Sequence, residues 1–207
     1  MTTIQFKSLC GLVAAVLLVG GCTSARVDKP ITAVAGGNDP DQQVDFWHRL
    51  AEAPITSYDD AFHALLMFTD GDDPAKDYTG RIQALKTRGL LANGFNRPAE
   101  EAVDRGTLSV ALAKALKVRG GLVMSIFGAS ARYSTKELEF LEVFPVSSPN
   151  QTFSGSEFIA VMSRAEDYQK TQQSGTHTGG AEYNPPEMEL KRGKPAAPAT
   201  RGTEPVL

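Results

Sequence analysis

The residue with the most distinctive chemistry in this chain is a thiol. Cys22 follows an apolar run from Leu9 to Val19 that closes on Gly20 and Gly21, whereas Cys10 lies inside that run. Other chemically able residues are scattered. Asp70-Gly71-Asp72-Asp73 offers the carboxylate oxygens that a hard cation takes, but Pro74 stands where a third ligand should be and no glutamate closes the loop. A turn and a helix cap explain these acids, and no metal is expected. The imidazoles are His48, His63 and His177. His63 lies at helical spacing from Asp59 and Asp60 and reads as a surface or boundary residue without a catalytic role. Arg119-Gly120-Gly121 has neither the preceding strand nor the lysine of a phosphate loop, and Ser125, Ser130 and Ser134 lack the glycine-flanked elbow that exposes a nucleophile. Phe46 and Trp47 could stack on a sugar, yet such a pair on a short amphipathic helix belongs to a core. No catalytic residue and no cofactor are expected.

The elements around Cys22 explain why a thiol stands there. Lys7 in a short polar start, the apolar run and the small residues after it form a signal peptide over residues 1–21, too short to span a bilayer as a stable helix. The string Leu18-Val19-Gly20-Gly21-Cys22 resembles the lipobox of bacterial lipoproteins. That resemblance implies cleavage on the amino side of Cys22, acylation of its sulfur with diacylglyceryl and palmitate-type chains, and the lipid bilayer as a partner. By the sorting habit of such lipoproteins, Thr23 rather than aspartate after the cysteine implies the outer membrane; in a single-membrane organism the anchor would display the domain outside the cell. Loss of residues 1–21 removes Lys7 and no acid, so the formal net charge goes from -3 to -4. That mild acidity offers no basic stripe for nucleic acid.

Thr23 to about Gln43 is polar and Gly/Pro-containing, so residues 22–43 read as a lipidated flexible tether with an r.m.s. reach of roughly 25 Å. Residues 169–207 are rich in proline and glycine with few bulky apolar side chains, and read as a disordered tail. A domain over 44–168 remains, and its patterning is helical. Ser57 and Asp60 open one helix and Asp73-Pro74 a second, which Gly89 ends. Asp104 caps a third, Ser134 and Thr135 precede a fourth, and Ser154 with Glu157 forms a capping box for a fifth. Leu122–Phe127 is ambiguous by pattern. The expected class is all-α: helix-loop-helix repeats packed as a small bundle.

Internal repetition supports that architecture. Ala84–Leu91 aligns with Glu137–Phe144 at an offset of 53, and Val103–Leu108 with Phe153–Phe158 at an offset of 50. A more diverged copy runs from Phe46–Leu50 to Ile55–Phe62. The units span about 45–69, 78–117 and 133–166. The stretch IQALKTRGLL, a loop carrying Phe95, Arg97 and Pro98, and then VDRGTLSVALAKAL resembles an S-layer homology repeat. The resemblance covers about residues 45–166 and is strong only in the middle unit. It implies a pseudo-threefold bundle that binds cell-wall polysaccharide, with Arg97 and Arg105 as contacts to acidic sugars. The box is Asp104-Arg105-Gly106-Thr107 in one unit but Ser154-Gly155-Ser156-Glu157 in another, so the sugar-facing arginine survives only as Arg105. The expected function is a membrane-anchored envelope lipoprotein with a non-enzymatic structural or binding role, or alternatively a wall-polysaccharide-binding module.

Overall fold

Short polar residues in extended backbone start most of the helices, because the first amides of a helix have no intrahelical acceptor and a side-chain oxygen can supply one. The computed structural model describes residues 24–118 and 128–174. Within them lie α1 (Thr32–Ala35), α2 (Pro40–Glu52), α3 (Tyr58–Asp70), α4 (Tyr78–Thr87), α5 (Arg105–Ala115), α6 (Ala131–Phe140) and α7 (Gly155–Gln173). The class is all-α. The second helix of each unit is capped in the same way: Ser57, Asp104 and Ser154 accept from the amides of Asp60, Thr107 and Glu157. At Ser154 the box is complete, Glu157 reaching back to the Ser154 amide.

Two cap expectations are corrected. Asp77, not Asp73-Pro74, caps α4 by accepting from the Gly80 amide, since the Asp73 carboxylate is occupied in the interior. α6 starts at Ala131, which leaves Ser134 and Thr135 buried inside it instead of ahead of it.

The first helices of the second and third units end on the same turn. At Gly89 φ is +72° and at Glu142 it is +59°, while the amides of Leu90 and Leu91 return to the Leu85 carbonyl as those of Val143 and Phe144 return to Leu138. Left-handed backbone suits glycine, so the glutamate holds the repeat geometry against its own preference.

Helices of one unit pack chiefly on helices of the next. α3 lies against α4, α5 against α6, and α7 returns to α2, so that the first and last units close the cycle. At the centre the three pre-cap segments bond to one another. The Thr56 amide donates to Phe153 O (2.9 Å), the Val103 amide to Thr56 O (2.9 Å) and the Arg105 amide to Gln151 O (2.8 Å). Around this ring sits one continuous core that includes Phe46, Leu50, Phe62, Leu85, Leu112, Leu138, Phe158 and Met162. Leu112 and Met162, equivalent at the offset of 50, are both buried.

The tether expectation is corrected for residues 24–43. Ala25 O accepts from the Ala102 amide (2.8 Å), the Val27 amide donates to Glu100 O (2.9 Å), Pro30 is buried, and α1 packs on α2 and α3. Polar, glycine-containing composition misled here because this segment is held by backbone and side-chain hydrogen bonds more than by apolar burial. The tail expectation is corrected at its start, where α7 continues to Gln173. The signal-peptide segment, Cys22, Thr23, Leu122–Phe127 and the tail beyond residue 174 lie outside the described residues.

Candidate functional site

The second unit carries the two arginines singled out in the sequence, and the fold treats them differently. Arg105 is the first residue of α5, and its side chain turns inward, with only 7% of it exposed. Its Nε donates to Thr152 O (3.1 Å), its Nη2 to Glu157 Oε1 (3.0 Å), and its guanidinium lies 4.7 Å from the centre of the Phe153 ring. Glu157 is held below the usual carboxylate range, chiefly by the Ser154 amide and also by Arg105, against some desolvation. Arg105 therefore rivets the second unit to the third, and the expectation of a sugar-facing Arg105 is corrected. The reason is local: the neighbouring unit supplies both an aromatic face and a carboxylate within its reach. Arg97 stays half exposed at 53%, with Nη1 donating to Glu101 Oε1 at 2.8 Å. Among the described residues the two arginines share no hydrogen-bond or ion-pair partner.

A denser polar cluster lies where the sequence suggested only caps and surface. Arg81 on α4 donates through Nε to Asp73 Oδ2 and through Nη1 to Asp59 Oδ1, both at 2.6 Å. His63 on α3 makes a 2.7 Å hydrogen bond from Nδ1 to the same Asp73 oxygen. Asp59 Oδ2 accepts from Thr32 Oγ1 (2.7 Å), and Asp60 accepts from the Thr32 amide (3.0 Å) and from Ser57 Oγ (2.6 Å). Asn38 fixes the Asp73 backbone by exchanging hydrogen bonds with both its amide and its carbonyl. These groups tie α1, α3, the 71–77 turn and α4 together. Burial alone would raise the Asp73 carboxyl, but hydrogen bonds from His63 and Arg81 and the guanidinium charge outweigh it and hold it low. Asp60 goes the other way, its burial prevailing over the bonds from Ser57 and Thr32.

His63 is completely buried, so the surface or boundary expectation is corrected. Among the described residues its Nε2 has no hydrogen-bond partner, and its ring meets Phe46 edge-on at 4.7 Å. An Asp–imidazole pair is a familiar acid/base arrangement, but a base must reach the proton it takes, and solvent does not reach this one. Arg81 stands on the apolar stripe of α4 formed by Tyr78, Ile82 and Leu85, which pack on the core. A charge on that apolar stripe is itself the signal, since a cation facing a core must find carboxylates there.

Two acids of the 70–73 turn, Asp70 and Asp73, are engaged. Asp70 pairs with Arg88, and Gly71 at φ +84° ends α3. Among the described residues no group of three or more His, Cys, Asp or Glu side chains is placed to hold a metal. Phe46 is fully buried and Trp47 packs beside it in the core. A depression of about 490 Å³ beside α4 is lined by residues including Lys76, Asp77, Gln83 and Arg88 and is open to solvent. No helix among the described residues is long and apolar enough to cross a membrane. No family model, curated protein or solved structure matches the chain.

Proposed function

We propose that the chain is an envelope lipoprotein, held to the bilayer through acylated Cys22, whose helical domain has a non-enzymatic structural or binding role. The observation that carries the reading is the string Leu18-Val19-Gly20-Gly21-Cys22 placed directly after the apolar run. A membrane address of this kind needs no spanning helix, because acyl chains supply ~0.8 kcal/mol for each buried CH₂. A structural role accords with a domain whose densest polar cluster is turned inward on itself. Thr23 favours the outer membrane in a two-membrane organism. Intact-mass analysis of detergent-extracted protein tests the anchor: the expected amino terminus is Cys22 carrying lipid, and a free Met1 or an unmodified Cys22 overturns it. The Cys22→Ala variant is expected in the soluble fraction.

The second reading is wall-polysaccharide binding, as the S-layer homology-like repeat implies. The ring of hydrogen-bonded pre-cap segments, one from each unit, accords with it, whereas the inward Arg105 removes one of its two proposed contacts and leaves Arg97. Retention of the Cys22→Ala protein on purified wall polysaccharide, lost in the Arg97→Ala variant and in high salt, is the result expected under that reading. Retention unaffected by Arg97→Ala rules out this contact.

A further inference from the structure

The docked amino-terminal segment limits how far the domain can stand from any lipid on Cys22. The Ala25–Val27 stretch runs antiparallel along Glu100–Ala102, with Arg26 bridged to Glu101 and hydrogen bonds at both Ala25 and Val27. Beyond it, Pro30 is buried and Thr32 is fastened to Asp59 and Asp60. Only Thr23 and Ser24 separate Cys22 from the first docked residue. Three Cα steps of fully extended chain span at most about 11 Å. The geometry points to the rim formed by Arg26, Arg97 and Glu100 lying against the lipid headgroups of the protein's own membrane, so that the domain is seated on the bilayer rather than swinging above it. This inference rests on the lipid-anchor reading.

Arg26 is exposed at this rim, and Arg97, paired with Glu101, is half exposed, so the rim offers guanidinium donors without a net charge. Guanidinium groups at this level meet headgroup phosphates. Ala102, which bonds Ala25, also bridges to Ser57 in the ring of pre-cap segments. From the ring, α7 runs over 19 residues to Gln173, so that its two ends lie about 27 Å apart along its axis.

Full-length acylated protein is reconstituted in vesicles of phosphatidylethanolamine and phosphatidylglycerol containing a lipid with a nitroxide headgroup. A fluorophore is attached at Glu100→Cys in one preparation and at Gln173→Cys in another. Several-fold stronger quenching at residue 100 than at residue 173 is expected. A flexible spacer of about 20 residues inserted between Ser24 and Ala25, with an r.m.s. reach of roughly 25 Å, is expected to reduce the quenching at residue 100 to near that at residue 173. Acylated Cys22 with equal quenching at the two sites, or a spacer without effect, overturns the seating alone. Cys22 found without lipid by intact mass overturns the anchor reading and the seating with it.

Discussion

Arg81 sits between two carboxylates with almost no access to water, so the cluster it centres is expected to respond asymmetrically to substitution. Arg81→Met removes the cation but leaves Asp59 and Asp73 in the interior, which should cost about 3–5 kcal/mol. Urea midpoints check this, and a loss below about 1 kcal/mol would mean that water already screens the cluster. Asp60 gives a prediction with the opposite sign. Burial lifts its folded pKa above the unfolded value of about 3.9, so the folded protein binds that proton first as pH falls. The ionised group therefore lowers stability at neutral pH, and the deficit closes as pH drops through the raised folded pKa. Asp60→Asn is expected to stabilise at pH 7 relative to the parent, with the advantage shrinking in acid. A stability difference that does not vary between pH 7 and pH 4 would contradict it. None of this was legible from Asp59, Asp60 and His63 as sequence neighbours, for their partners Thr32, Asp73 and Arg81 come from three other segments.

At the scale of elements the repeat was legible because helix ends carry local chemistry. Ser57, Asp104 and Ser154 satisfy amides of their own first turns, and that requirement leaves its mark within four residues of sequence. The turn after the first helix is less legible, since Gly89 announces it and Glu142 conceals it. Gly89→Ala should cost about 1–2 kcal/mol from backbone conformation alone, because an added Cβ there meets nothing within 4 Å. Glu142→Gly relieves a similar cost but gives back about 0.4–1 kcal/mol in the freedom of the unfolded chain, so a small net gain is expected. Thermal midpoints of the pair test the equivalence, and equal losses at both sites would break it. Gly155 is a different kind of glycine: a Cβ there would lie 1.5 Å from the Leu50 carbonyl oxygen, where α7 meets the end of α2. Gly155→Ala should separate these helices at a cost of about 1–3 kcal/mol or more, measured the same way. The sequence offered Gly155 only as part of a cap, because the backbone it touches belongs to a residue about a hundred positions earlier.

For the whole molecule, the all-α class followed from the absence of any sustained period-two pattern, and the helical units from their caps. The cyclic packing of α3 on α4, α5 on α6 and α7 on α2 lies beyond such reasoning, since no local period specifies which neighbour a helix chooses. Nor did composition reveal that residues 25–38 belong to the folded part, because their attachment is through Ala102, Glu100, Asp59, Asp60 and Asp73. A protein ending at residue 150 would keep α1 to α6 but lose α7, and with it the helix packed on α2, which carries Phe46 and Leu50. It is expected to lose cooperative unfolding, which a denaturant titration followed by circular dichroism would show; a sharp transition at the parent midpoint would contradict the closed cycle.

The contact of α7 with α2 also sets a clock. The two helices that complete the core are the second and the last of those described, and the Thr56–Phe153 bond in the ring spans a comparable stretch of chain. Closing a loop of that length must precede the burial that rewards it, so a chain with mostly local helical contacts acquires a slow, non-local final step. Until Phe158 and Met162 arrive, the earlier units present an unfilled core.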